Sequence, residues 1–426
     1  MIVKVLKSCF KRLRISKDGK TVAANFGYLS LIQIAGYAFP LITMPYLARV
    51  IGTEGFGRIA FANAVLVWLQ TVADWGFTFT ATRDVAQNRD NKEKVSEIFS
   101  NVLWARCFLS FIAGLFLLLA IAFVPVFREN AFILLISYLL IPGHIMFPDW
   151  FFQAIEKMKY TTILGLIFRL FFTIMVFVVI KEQGDYFWQP LLTTIGYILC
   201  GIITFYLILK EWGYKLYPPK VKPVINSIKS SADVFLNNLM PNLYNSFSVL
   251  LLGFWGGSYA NGIFDGGNKF ATLIYQLQLV LSRAFYPFLS RRVDKHHIFA
   301  LINNTIAFLM ALFLFIFAPF LVHIMLGPEF EESIIVLRIL SLSVFFLGLS
   351  NTYGTNYLII CHHESELRNM TLIASIIGMT VAIPLVMKYT YIGAAITIVI
   401  SRCLLGILSC IKAKHYIKLN QDKHTK

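Results

Sequence analysis

Charged side chains within otherwise apolar stretches are the residues of this sequence best suited to chemistry. Arg169, Lys269 and Arg402 lie in long apolar runs, and so does Asp74. A charge at the centre of a bilayer costs about 2.5–3.5 kcal/mol on insertion scales, so such groups are expected to line a polar cavity or to pair. Structural pairing between helices is the alternative to a functional role.

Basic residues outnumber acidic residues in these stretches. The candidate substrate-binding cations are Arg49, Arg169, Lys269, Arg338 and Arg402, and the candidate coupling or gating carboxylates are Asp74 and Asp265. Surplus positive charge in a low-dielectric cavity attracts anions, and Arg and Lys are the usual partners of phosphate. The pattern predicts a site for phosphate or diphosphate. Arg106 and Arg283, nearer helix ends, are expected to snorkel to the head groups.

Membrane-spanning helices must position these charges, because the sequence is a succession of apolar stretches. A helix needs about 20 apolar residues to cross a hydrocarbon core of about 30 Å. Twelve spans are therefore predicted, at 24–48, 59–81, 102–125, 131–152, 160–180, 187–209, 234–255, 261–288, 299–326, 333–359, 370–387 and 392–411. The expected fold class is an all-α polytopic membrane protein.

Composition and charge support this class and predict an orientation. The 426-residue chain is 58% hydrophobic and 14% charged, whereas soluble domains have about 25% charged residues. Of the 38 Lys and Arg residues, 27 fall in segments on the side of the N-terminus and five on the other side. The positive-inside rule then predicts that both termini are cytoplasmic. The net charge of +16 is interpreted as this topology signal, not as a nucleic-acid-binding surface.

The spans divide into two equal halves. Residues 24–209 and 234–411 are the predicted six-helix lobes around a central cavity, joined by a basic, proline-containing cytoplasmic linker at 210–233. Residues 1–23 are predicted to form a basic amphipathic segment on the membrane surface, and residues 412–426 a basic cytoplasmic tail. Two lobes built from repeats are typical of transporters.

The first helix of each half has polar residues and proline, which suit a bent gating helix. Proline in a spanning helix frees backbone carbonyls and is tolerated where neighbours or a cavity satisfy them. These candidate gating residues are Asn25, Gln33, Pro40 and Pro45 in the first span and Pro241 in the seventh. Ordinary hydrogen bonding between helices is the alternative explanation.

Enzymes and metalloproteins are not indicated by the sequence. It has no nucleophile-elbow, zinc-protease or P-loop motif in a plausible loop. Its six cysteines have no CxxC spacing and are interpreted as buried thiols. No cofactor or metal is expected; the family resemblance given below implies coupling to a proton or sodium gradient.

Five segments, in order along the chain, resemble Wzx-type flippases of lipid-linked oligosaccharides. They are Asn25…Gln33…Pro40…PYLARVIGTEGFG, DWGFTFTATRDVA (74–86), DWFFQAIEKMKY (149–160), GIFDGGNKF…YPFLSRR (262–292) and LGPEFEES…LRIL (326–340). These flippases belong to the multidrug/oligosaccharidyl-lipid/polysaccharide exporter superfamily.

The resemblance implies a substrate and a location. The implied substrate is an undecaprenyl-diphosphate-linked O-antigen repeat unit, moved from the cytoplasmic to the periplasmic leaflet of the bacterial inner membrane. A polysaccharide polymerase and a chain-length regulator are the implied protein partners, alongside membrane lipids. The family's functional carboxylate in span two matches Asp74, and its span-eight lysine matches Lys269.

Two other functions remain open at this point. A drug or metabolite cation antiporter of the same superfamily would need an acidic cavity, whereas this one is predicted to be basic. A membrane-embedded polysaccharide polymerase would need a large outer loop, and the predicted outer loops are short.

Overall fold

The structure is a computed structural model that describes the backbone of residues 17–424 and the side chains of residues 27–28 and 31–419. Within that range it is helical, with short connections and no β-strand. The predicted amphipathic segment, the side chain of Asn25 and the end of the basic tail lie outside the described side chains.

The first half has nine α-helices from residue 17 onward, where the described backbone begins. They are α1 (Lys17–Asp74), α2 (Phe77–Gln87), α3 (Lys92–Phe123), α4 (Pro125–Glu129), α5 (Ala131–Tyr138), α6 (Leu140–Met146), α7 (Asp149–Ala154), α8 (Met158–Val179) and α9 (Trp188–Tyr206). A 3₁₀ turn, Gln183–Phe187, precedes α9, and a π-helical turn, Leu207–Glu211, extends it.

The second half has six further α-helices. They are α10 (Val221–Leu239), α11 (Asn245–Trp255), α12 (Gly257–Arg291), α13 (His296–Met325), α14 (Ser333–Leu349) and α15 (Glu364–His424). Short 3₁₀ turns at Met240–Leu243, Val293–Lys295 and Pro328–Phe330 connect them, and a π-helical segment, Ser350–Ile359, extends α14.

Two long helices, α1 and α15, are hairpins. The backbone of α1 leaves helical geometry at Gly52 and that of α15 at Thr390. Pro40 and Asn63 line the same cavity. In a straight helix they would be about 35 Å apart, so α1 must fold back on itself between them. Likewise, a Cβ on Gly378 would overlap the side chain of Ser401 across the bend at Thr390. Each helix therefore accounts for two of the predicted spans.

The other predicted spans also have helical counterparts. Among the described residues, eight helical segments are long and apolar enough to cross a membrane, and two of them contain the hairpins. The seventh predicted span is broken by the turn at Met240–Leu243, and the eighth lies in the more polar α12. The all-helical membrane fold expected from the sequence is confirmed.

One end of the molecule holds the two halves together. At this end Gly52 lies close to residues of both halves. A Cβ added to Gly52 would be 3.0 Å from Glu329 Oε2 of the second half and 3.6 Å from Gln183 Nε2 of the first. A single apolar core at this end, which we call the shared core, includes Leu47 and Phe56 of the first half with Phe264, Leu337 and others of the second. We refer to this end as the Gly52 end.

At the opposite end, each half has a separate core. Phe99, Trp150 and Phe151 belong to the first, and Leu358 and Met370 to the second. At this end the apolar contact between the halves comes from α10, whose Val224 belongs to the first core. A cleft can therefore open here between the first half with α10 and the rest of the second half.

The predicted linker is ordered along the first half. Backbone amides of Lys215 and Tyr217 donate to the hydroxyls of Ser96 and Ser100 on α3, at 3.0 and 2.9 Å. The indole of Trp104 donates to the carbonyl of Tyr217 at 2.9 Å. The chain then enters α10, which packs against α1, α2 and α3.

A substitution at Gly57 tests the close approach of α1 and α12. A Cβ there would overlap the carbonyl of Ser258, so Gly57→Leu is expected to destabilise the protein by about 1–3 kcal/mol, as overpacking does. The measurement is the thermal unfolding midpoint of the purified protein in detergent, which should fall by several degrees. Gly184→Leu is the control, because nothing lies within 4 Å of a Cβ at Gly184. An unchanged midpoint for Gly57→Leu would contradict the packing described.

Candidate functional site

A cavity between the two halves contains the predicted site residues Lys269 and Asp265. It has a volume of about 380 Å³ and is lined by both arms of the α1 hairpin and by α12. Its polar and charged residues are Thr43, Asn63, Gln189, Asp265, Asn268, Lys269 and Thr272, and Pro40 forms part of its wall. We call it the interlobe cavity.

Lys269 has two partners in this cavity. Its Nζ lies 2.8 Å from Asp265 Oδ2, one helical turn earlier on α12. The same Nζ lies 3.6 Å from the centroid of the Phe56 ring on α1. The carboxylate offsets the lysine charge, so this pair contributes no surplus positive charge to the interlobe cavity. The aromatic contact is a cation–π interaction that links the two halves.

Arg169 lies in a second cavity, inside the first half. This cavity has a volume of about 440 Å³ and also contains His144, Asp149 and Tyr197. The Arg169 guanidinium donates to the carbonyl of Ile32 on α1, and the rings of His144 and Tyr197 stack with centroids 4.5 Å apart. Lys269 is not among its lining residues, so the structure does not bring these two predicted cations into one cavity.

A hydrogen-bonded network crosses from the first half to the second next to Arg169. Gln33 Nε2 donates to the Tyr37 hydroxyl at 2.9 Å, and that hydroxyl donates to Gln276 Oε1 on α12 at 2.9 Å. Arg283 donates to Gln33 Oε1 at 3.2 Å. Gln33, a predicted gating residue, thus contacts the opposite half directly. Tyr37, Gln276 and the role of Arg283 were missed, since the sequence does not show which helix faces meet.

Asp74 pairs with Arg106. It ends α1, just before Trp75 and Gly76 adopt positive φ angles of 43° and 81°, so it lies at a break between helices and not within a continuous one. Arg106 on α3 is buried at 4% exposure and its Nη2 contacts Asp74 Oδ1. The expectation that Arg106 snorkels was therefore wrong, because its counter-ion lies on the neighbouring helix.

Arg402 is buried within the second half, apart from both cavities. Its guanidinium donates to Ser343 Oγ at 2.9 Å and to Asn245 Oδ1 at 3.3 Å. Asn245 follows Pro241, whose carbonyl accepts a 3.1 Å bond from Asn245 Nδ2. No carboxylate pairs with Arg402 among the described residues. Neutral oxygens stabilise this charge, and the turn containing Pro241 positions one of them.

The remaining predicted cations lie away from the interlobe cavity. Arg338 on α14 lies 5.6 Å from the centroid of the Phe315 ring on α13. Arg49 is exposed at the Gly52 end, where its Nη2 donates to the carbonyl of Ile324 at 2.6 Å. The sequence suggested one cavity lined by all five cations. In the structure these cations lie in different places, and only Lys269 lines the interlobe cavity.

The predicted proline bends take two different forms. The first span stays helical through Pro40 and Pro45, and the non-helical residue of α1 is Gly52. Pro241 does interrupt its helix, since it lies in the 3₁₀ turn between α10 and α11. In that turn Asn242 donates to Thr71 Oγ1 of α1 at 3.0 Å, another contact between the halves.

Curated relatives resemble the chain over nearly its whole length. A protein of Escherichia coli (strain K12) named "Putative O-antigen transporter" is 28% identical over 392 residues, which cover 90% of this chain and 94% of that protein. A protein of the same name from Shigella dysenteriae is 27% identical over 396 residues, covering 91% of this chain and 99% of that protein.

Solved structures share the fold at low sequence identity. The lipid II flippase MurJ in an inward closed conformation matches with a TM-score of 0.74 and 15% identity over 92% of this chain and 87% of its own. An inward-facing MATE family multidrug resistance transporter of the MOP superfamily matches with a TM-score of 0.68 and 14% identity, over 92% and 99%. These likenesses establish a two-lobed helical fold.

A family model described as "Polysaccharide biosynthesis protein" matches residues 22–293. That range begins within α1 and includes its hairpin bend, the interlobe cavity and α12. The resemblance first indicated by the sequence motifs is thereby confirmed at the level of the family. The chain belongs to the polysaccharide biosynthesis protein family and has the two-lobed fold found in MurJ and MATE transporters.

Proposed function

We propose that this protein is a flippase that moves a lipid-linked oligosaccharide from one leaflet of a membrane to the other. The observation that carries this proposal is the contact surface between α1 and α12, which we call the seam. Lys269, Arg283 and the wall around Arg169 follow one another along this seam between the halves. Basic groups in such a seam suit the diphosphate of a lipid carrier. The names of the curated relatives support the same substrate class.

The proposed pathway uses the cleft at the end opposite Gly52. Basic segments such as 83–94, 210–229 and 291–295 adjoin the two separate cores, so on the positive-inside rule we propose that this end is cytoplasmic, together with both termini. The sugar and diphosphate would enter between the halves from the cytoplasmic leaflet, while the lipid tail stays in the bilayer. The proposed substrate is an undecaprenyl-diphosphate-linked O-antigen repeat unit in the bacterial inner membrane. A polymerase and a chain-length regulator are the proposed partners downstream.

The ion pairs are the proposed sites of coupling to a proton or sodium gradient. Asp74–Arg106 and Asp265–Lys269 each join an acid and a base within the membrane region. Proton or cation binding to one carboxylate would release its basic partner. At Asp265 the released lysine would be free to contact the diphosphate. Ion binding at Asp265 and substrate binding at Lys269 would thus favour each other, because each separates the same pair.

A cation antiporter is the second candidate, because the fold is shared with a multidrug MATE transporter. Asp74 and Asp265, which such a transporter would use to hold a cation, are each paired with a basic residue here. A neutralised carboxylate is a weak site for a cationic drug. Arg169 and Arg283 along the seam donate instead to neutral oxygens, and their charges, not offset by an ion pair among the described residues, favour an anionic substrate.

A strain from which this protein has been deleted separates the two candidates. If the protein is a flippase, the deletion strain should accumulate lipid-linked oligosaccharide in the cytoplasmic leaflet and should lose surface polysaccharide. Restoration of the polysaccharide by the intact protein would support the proposal. Unchanged polysaccharide together with increased sensitivity to cationic drugs would favour the antiporter instead.

Variants of Lys269 in the same strain test its contact with the substrate. Lys269→Gln is expected to lower polysaccharide export at least tenfold, because both the cation and the neutralisation of Asp265 are lost. Lys269→Arg should keep part of the activity, since the charge remains. The double variant Asp265→Asn with Lys269→Gln is the control. Recovery of export in the double variant would show that the lysine only neutralises Asp265, and would contradict a substrate contact.

Asp74→Asn tests the proposed coupling role of the buried pair. Export is expected to fall at matched protein levels, because the asparagine cannot ionise and leaves Arg106 without its counter-charge. Breaking a buried pair by removing one partner costs about 3–5 kcal/mol, so thermal stability is measured in parallel. The variant with both Asp74→Asn and Arg106→Gln removes the unpaired charge. If that variant regains full export and still depends on the ion gradient, Asp74 has no coupling role.

A reversible crosslink at the Gly52 end tests movement of the halves. In a cysteine-free background, Arg49→Cys and Ile324→Cys would be joined by a bifunctional thiol reagent, because Arg49 reaches the Ile324 carbonyl across the two halves. The bond should stop transport, and reduction should restore it. Tyr259→Cys with Glu332→Cys is the control, since their hydrogen-bonded side chains belong to one half. Full transport with the Arg49–Ile324 crosslink formed would refute alternating access.

A further inference from the structure

A lateral groove on the second half, separate from both cavities above, has the form of a lipid site. Its volume is about 1310 Å³. Its walls come from the turn Val293–Lys295, from α13, from the π-helical extension of α14 and from the end of α15. None of its lining residues belongs to α1 or α12, so the groove lies outside the seam proposed for the substrate.

Buried hydrogen bonds fix the inner wall of the groove. Thr352 donates to Asn304 Oδ1 at 2.8 Å and accepts from Asn303 Nδ2 at 2.8 Å, which ties α13 to the π-helical segment. A ring nitrogen of His296 lies 3.0 Å from the Thr352 carbonyl. π-Helical turns are rare and are frequently found at functional sites. The groove is therefore preformed.

The groove is polar at one end and apolar along its length. Asp294, His297 and Lys414 line it near the end of the molecule opposite Gly52. Leu301, Phe308 and others on α13 line the part that runs toward the membrane interior. The polar end and the apolar part are separated by about 20 Å, the length of helix from residue 294 to residue 308. A head group at one end and acyl chains along the rest match this arrangement.

The polar end carries an excess of positive charge. The Asp294 carboxylate is contacted by Arg292 Nε at 3.4 Å and by Lys295 Nζ at 3.7 Å, so its charge is already offset. Lys414 lines the groove and has no ion-pair partner among the described residues. Basic residues at the membrane surface attract anionic lipids.

We propose that this groove binds one anionic glycerophospholipid, with its phosphate at Lys414 and His297 and its acyl chains along Phe308 and Phe345. The lipid would belong to the leaflet at the end opposite Gly52. Acyl chains there would fill the space between α13 and the π-helical segment, and the phosphate would link the end of α15 to the turn before α13. The site is independent of the transport proposal.

Site-specific photocrosslinking of the full-length protein tests the groove. p-Benzoylphenylalanine replaces Phe308, which is 54% exposed, and the control position is Phe111 on α3, which is 70% exposed. The protein is reconstituted in vesicles of equal phosphatidylglycerol and phosphatidylcholine content, and captured lipids are identified by mass spectrometry. At position 308 phosphatidylglycerol should be captured about fivefold more than phosphatidylcholine, and at position 111 equally.

Charge variants in the same assay identify the head-group contact. Lys414→Gln should reduce the preference at position 308 about fivefold, the effect of one basic residue at an anionic surface. Lys412→Gln is the matched control, because Lys412 is paired with Glu366, and should change nothing. Equal capture of the two lipids at position 308 would overturn the proposal. So would preferential capture of an added polyprenyl-diphosphate lipid, or a preference unchanged by Lys414→Gln in a protein of unaltered thermal stability.

Discussion

The close crossing of α1 and α12 is the constraint on which the rest of the structure depends. A Cβ at Gly57 or at Gly262 would overlap backbone of the other helix, so the two main chains are in direct contact. Because of this contact, Phe56 of the first half reaches two residues of the second half. Its ring lies against Lys269 Nζ, and its centroid is 5.4 Å from that of the Phe330 ring. The shared core, the interlobe cavity and the seam all follow from this one approach.

Burial of charge explains why the polar groups occur in pairs or chains. An ionised group inside a membrane protein loses the stabilisation that water gives its charge. Neighbouring polar or charged groups must replace that stabilisation. Asp265 and Asp74 do so with a lysine and an arginine, whereas Arg402 uses neutral oxygens and Arg338 an aromatic ring. In the proposed mechanism, the acid–base pairs exchange partners with a proton, an ion or an anionic ligand. Arg402 has no such exchange available and is better understood as a fixed part of its lobe.

Hydropathy was sufficient to predict the fold, because long apolar stretches must form helices in a membrane. Asp265 and Lys269 were also predictable as neighbours, since residues four apart lie on one face of a helix. Which face of each helix points toward the other half was not readable from the sequence. This is why Arg169, Arg338 and Arg402 were grouped in one cavity, although their helices point them to three different places.

Helix ends were similarly hidden from the sequence pattern. Asp74 lies in an apolar stretch that continues to residue 81, and only the glycine at position 76 signals the break that follows it. Arg106 lies within one long helix, and its burial depends on the position of that break. The partner of a buried arginine is therefore set by tertiary structure.

The ordered segment after α9 has a consequence for how the protein is made. Residues 212–217 are hydrogen-bonded along α3, and α10 packs on the helices of the first half. All these partners are synthesised before α11 emerges from the ribosome. Residues 17–239 can thus make these contacts before the rest of the second half is synthesised, whereas the shared core forms only when α12 is present. A hybrid protein with exchanged halves is therefore best joined within the turn at Met240–Leu243, so that α10 stays with the helices on which it packs.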